Sequence, residues 1–193
     1  MGDNTMEVVS LGQRTEILRI AATEIGYREG ANNSNMYGDW YGMNHQPWCA
    51  IFISWCADKA GALGANHASG IIPRTAWVPD YAAYYARLKQ YQAAGAYQPQ
   101  PGDLVIFGVN SHAGLVESCD GLNLVSIEGN ASASGNNSNG DGVYRRRRKL
   151  NDSWIRGYCS PDYQEEERNM DIKEVLIRHA ERGLVAVRVV NIG

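Results

Sequence analysis

The sequence predicts an α+β domain on three observations. Apolar residues recur at helical spacing through roughly the first half of the chain, short strand-like runs follow from residue 104, and glycine- and asparagine-rich stretches separate these segments. Helices first and a meander of strands afterwards is the order of helices packed on an antiparallel sheet. The 193 residues suit one domain with a remainder, and 44% hydrophobic residues with a net charge of -3 describe an ordinary globular chain. That balance gives no reason to expect nucleic acid, and no run approaches membrane-spanning length, so no membrane partner is expected either.

In chain order, Thr15 to Ile25 sets Ile17, Leu18, Ala21, Ala22 and Ile25 on one helical face, with Thr15 as a candidate cap. Residues 26–46, rich in Gly, Asn and Tyr without a period, predict a long loop packed by aromatic side chains. Pro47 to Ala62 is apolar nearly all round and predicts a central buried helix, closed by Gly61 and Gly64. Pro79 to Ala94 predicts a third helix, with Tyr81, Tyr84, Tyr85, Leu88 and Tyr91 at helical spacing as a packing stripe. Strands are predicted at 104–109, 112–118, 122–129, 143–150 and 154–160. Residues 1–163 form the expected domain, and 164–193 read as a charged linker or C-terminal extension.

The stretch "NHQPWCAIFISWC" carries the chemistry. A helix starting at Pro47 puts Cys49 in its first turn, where unpaired backbone N–H groups and the helix dipole favour a thiolate. Cys56 lies two turns on, too far for a disulfide and among apolar neighbours, so it is expected in the core. With four cysteines and no disulfide pattern, free thiols are expected throughout. A cysteine nucleophile needs a base, itself oriented by a third group. His112, at the start of a strand after the turn "VNS", is the candidate base. Glu128 and Asn130 stand two apart in "IEGN", on one face of an extended strand, as candidates to orient it and polarise the site. A zinc site from Cys49, Cys56, His45 and His67 has an unusual ligand spacing, and neither metal nor cofactor is expected. His45, His67 and His179 fall in loops or the tail, with no chemical role expected.

The motifs "EIGYREG", "NNSNMYGDWYG", "PWCAIFISWCADKAG", "IPRTAWVP", "PGDLVIF", "SHAGLVES", "SIEGNAS" and "RGYCSPDY" together resemble the CHAP domain, the cysteine- and histidine-dependent amidohydrolase/peptidase module. The resemblance spans about residues 13–163. It implies a papain-like α+β fold and cleavage of amide bonds in the peptide part of bacterial peptidoglycan, by endopeptidase or N-acetylmuramoyl-L-alanine amidase action. It places the nucleophile at Cys49, the base at His112 and the family's Glu and Asn at Glu128 and Asn130. The acidic calcium loop of some relatives is reduced here to Asp39, so no calcium is expected. Trp40, Tyr41 and Trp48, near the nucleophile in sequence, are candidate substrate contacts. The run "YRRRRK" at 144–149 alternates Arg145, Arg147 and Lys149 against Arg146 and Arg148. A solvated edge strand is its plain explanation, and teichoic acid, an acidic wall polymer, its functional one. With no signal peptide apparent at Met1–Met6, the resemblance points to a phage endolysin held in the host cytoplasm before lysis. A secreted autolysin domain, a non-catalytic wall-binding module and a protein-directed cysteine peptidase are the alternatives.

Overall fold

The computed structural model describes residues 12–134, 136 and 139–164. The charged extension expected from residue 164 onward, with His179, lies outside them apart from Gln164.

The most apolar segment occupies the centre. Helix α3 (Cys49–Lys59) buries Cys49 to Ser54 without a break, followed by Cys56 and Ala57. Only Trp55 and the last turn, Asp58 and Lys59, reach water, so other elements enclose most of it. Helix α1 (Gln13–Thr23) supplies Ile17, Ile20 and Ala21. It begins two residues before the predicted cap Thr15, with Gly12 at its N-cap. Residues 26–46, predicted as loop, contain a single 3-10 turn, Ala31–Asn33, and the short helix α2 (Met36–Tyr41). Asn35 caps α2 by accepting a bond from Gly38 N at 2.7 Å, and Gly42, at φ 85°, ends it.

Helix α4 (Val78–Arg87) buries Tyr81, Tyr84 and Tyr85, the tyrosine stripe expected to pack. Their hydroxyls donate to Ala50 O at 3.1 Å, to Gly70 O and to Ile71 O at 2.6 Å, respectively. The stripe therefore fixes the start of α3 and the connection after it. The predicted third helix was to run to Ala94. Lys89, at φ 60°, breaks it, and Tyr91–Ala93 forms strand β1 instead.

Five further strands follow: β2 (Leu104–Phe107), β3 (His112–Cys119), β4 (Asn123–Ala131), β5 (Gly142–Lys149) and β6 (Ile155–Cys159). They form a six-stranded antiparallel sheet in the order β1-β6-β2-β3-β4-β5, with β5 at an edge. Alternation sends Leu104, Ile106, Ala113, Leu115 and Ile127 to the helices. Val105, Phe107, Val116, Leu124, Ile155 and Tyr158 pack together as a second cluster on the other face. Helix and sheet approach closely at Gly129, where a Cβ would lie 2.5 Å from Phe52 Cβ and 2.8 Å from the Trp48 ring. The architecture is α+β, with helices against an antiparallel sheet.

Candidate active site

Cys49 is the first residue of α3, and the first helical bond runs from Phe52 N to Trp48 O at 2.8 Å. The N–H groups of the first turn therefore have no partner within the helix, and the positive end of its dipole lies at the sulfur. Cys49 as a whole is 3% exposed. Cys56, two turns along, has no exposed surface, and burial pushes its thiol well above the ordinary range. All four cysteines are free.

His112 opens β3 after a turn closed by Ser111 N donating to Phe107 O at 3.1 Å. Its Nε2 lies 3.0 Å from Glu128 Oε2. Nδ1 is also buried and makes no hydrogen bond of ordinary geometry, and the Cys49 thiol is the other group that acts on this imidazole. Burial pulls the imidazole's pKa down, but Cys49 and Glu128 outweigh it and raise the value to about 9. Burial likewise works against the Glu128 anion, yet His112 and Arg148 hold its pKa down at about 2. The arrangement is a thiol, an imidazole and a carboxylate in sequence, almost wholly removed from water.

Gly114 makes the His112–Glu128 contact possible. A Cβ there would lie 2.6 Å from Glu128 Cγ, so the bare backbone of β3 lets the glutamate cross to the histidine two residues away. Above the pair, the His112 and Trp154 rings stack at 5.7 Å with 16° between planes, and Phe107 stacks on Trp154 at 4.6 Å.

The structure brings Cys49, His112 and Glu128 together and places Asn130 differently. A register shift between Glu128 and Ala131, with Asn130 at φ 52°, interrupts the alternation that was to put Glu128 and Asn130 on one face. Asn130 is buried, and its Nδ2 donates to Asn139 Oδ1 at 3.2 Å. Trp48 requires a correction: it has no exposed surface, stacks on Tyr37 at 5.1 Å and donates from Nε1 to Glu29 at 2.5 Å. It is a core residue and not a substrate contact. Trp40 and Tyr41 are partly exposed, with the Arg74 guanidinium 5.5 and 4.1 Å from their ring centres.

Three participants escaped the sequence reading: Ser126, Arg148 and Trp154. Ser126 Oγ donates to Glu128 Oε1 at 2.5 Å, and Arg148 forks onto both carboxylate oxygens. No signal in the arginine run marks Arg148 off from its neighbours. Asp39 receives the Asn44 amide at 2.7 Å. Among the described residues no three His, Cys, Asp or Glu side chains converge as a metal site.

Residues 40–130 match the model of the CHAP domain. They include Cys49, His112, Glu128 and Asn130. No curated protein sequence matches the chain. Three solved chains are similar. One of these, described as "The crystal structure of Ly7917", is 18% identical with a TM-score of 0.45, over 77% of this chain and 62% of that one. The chain thus spans less than two thirds of that structure's length. On the family match, residues 40–130 carry a CHAP domain, the module of a family of peptidoglycan hydrolases and peptidases.

Proposed function

We propose that the chain hydrolyses amide bonds in the peptide part of bacterial peptidoglycan with Cys49 as nucleophile. The observation that supports this most is the buried series of Cys49 at a helix start, His112 and Glu128. In this reading His112 holds the proton of Cys49, and the thiolate attacks the carbonyl carbon of the scissile amide. N–H groups of the first turn of α3 receive the developing oxyanion. The C–N bond breaks as His112 gives its proton to the leaving amine, leaving a thioester on Cys49. Neutral His112 then takes a proton from water, whose oxygen attacks the thioester and frees the thiol and a carboxylate. Glu128 keeps the imidazole in one orientation throughout. Asn130, at the bulge beside Glu128, holds Asn139 through its amide, and Trp40 and Tyr41 supply partly exposed aromatic surface for the peptide or sugar.

The proposal includes amidase or endopeptidase action and an endolysin's setting, acting from the host cytoplasm on the wall. The teichoic acid reading draws little from β5, because Arg145 pairs with Glu117 and Arg147 lies 3.7 Å from Asp120. Digestion of purified peptidoglycan followed by mass spectrometry of the muropeptides tests the reaction. New amino groups at one defined amide, with casein left intact, is the expected result. Cleavage of casein with no change in the muropeptides contradicts it.

A further inference from the structure

Strand β5 carries four arginines in succession, and they have different surroundings. Arg145 is exposed and held by Glu117 at 2.6 and 2.7 Å, and Arg147 is exposed near Asp120. Arg148 is only 7% exposed. Its Nη2 donates to Glu128 Oε2 at 3.1 Å and its Nη1 to Oε1. The guanidinium lies 4.5 Å from the centre of the Phe107 ring and 5.2 Å from that of Trp154, the rings that also stack with His112.

Burying an arginine is costly unless its planar fork meets a matching carboxylate. Here the match fills the glutamate. Oε1 receives Ser126 Oγ and Arg148 Nη1, and Oε2 receives Arg148 Nη2 and His112 Nε2. With both oxygens bonded from two sides, the carboxylate cannot rotate without breaking a charge-assisted bond. A solvated edge strand needs no such arrangement.

We propose that Arg148 is a positioning residue: by forking onto Glu128 from β5, it fixes the plane and the charge of the carboxylate that orients His112 towards Cys49. This rests on the reading of Cys49 and His112 given above. Arg148 touches neither thiol nor substrate and acts through Glu128.

The groups that face Glu128 are His112 from β3, Ser126 from its own strand, and Arg148 with the half-buried Arg146 from β5; Cys49 on α3 acts through His112. Without Arg148 the buried anion loses its main cation besides His112 and takes up a proton at higher pH. Where Glu128 is still ionised, its charge is no longer offset by a guanidinium, and the surplus negative charge beside His112 disfavours the anionic form of Cys49. The acid limb of Cys49 reactivity therefore moves upward.

Alkylation of Cys49 by iodoacetamide in the full chain, read from pH 4 to 9 by mass spectrometry of the Cys49 peptide, tests this without any substrate. Arg148→Met should raise the midpoint of the acid limb by about one pH unit or more, equivalent to a roughly tenfold slower reaction below it. Arg148→Lys, which keeps a charge but no fork, should lie between. Arg145→Met should leave the limb in place. On peptidoglycan, Arg148→Met should lower kcat/KM by about 10- to 100-fold, mostly in kcat. An unmoved acid limb in folded Arg148→Met, judged by circular dichroism, overturns the proposal. If that variant does not fold, Arg148→Lys decides, and an unmoved limb in it overturns the proposal equally. A moved limb in a chain inactive on peptidoglycan upholds the role of Arg148 and refutes the substrate reading.

Discussion

Gly114 shows how a small residue serves the site. The glutamate lies across its Cα, and a methyl group there would meet Glu128 Cγ at 2.6 Å. Gly114→Ala should push the carboxylate off His112 and lower kcat/KM by about tenfold or more, for an overpacking cost of about 1–3 kcal/mol. Full activity at wild-type stability would show that Glu128 has another route to the imidazole. The motif "SHAG" was visible in the sequence, but the reason for its glycine lies on the neighbouring strand. That Cys49, His112 and Glu128 would lie together was legible, because a helix start and neighbouring strands can bring those residue types side by side. Arg148 was not, because alternation divides an arginine run into two faces without saying which is buried. The pairing of β5 with β4 decides that, and it is non-local. Trp48 was misread because nearness to Cys49 in sequence was taken for access to the site; the N-cap position turns its ring into the core.

At the scale of elements, the long periodic segments were legible and their ends were not. The apolar run from residue 47 onward gave α3 within a few residues, since a helix buried nearly all round carries a strong signal. The third helix was extended too far. Tyr91 continues the helical spacing of the tyrosines, and no glycine marks the stop, yet Lys89 takes a left-handed conformation and Gln90 N bonds back to Tyr85 O at 2.8 Å. Helix α2 was missed because six residues are too few to show a period; its signals were the Asn35 cap and Gly42. The bulge at Asn130 was missed for a related reason. Strict alternation assumes an unbroken ladder, and the glycine beside Asn130, which marks the close approach of Phe52 and Trp48, was the sign of an interruption.

For the whole molecule, the buried His112–Glu128 pair couples stability to pH. His112 has a pKa raised from 6.5 to about 9, so its contribution is complete below pH 6.5 and is lost as pH rises through about 9. Glu128 has a pKa lowered from 4.5 to about 2, so its contribution is complete above pH 4.5 and is lost as pH falls through about 2. Both are therefore complete between pH 4.5 and 6.5. The margin in Tm of the wild type over Glu128→Gln should be largest in that window and shrink on either side, and a constant margin in calorimetry would contradict the assignment. The central proposal, however, is covalent: that the thiol at the start of α3 carries out amide hydrolysis on the bacterial wall. The most direct measurement is the rate at which Cys49→Ala releases amino groups from purified peptidoglycan, with its circular dichroism compared with the wild type. The account predicts a rate at background in a fully folded protein, whereas release at the wild-type rate would contradict it.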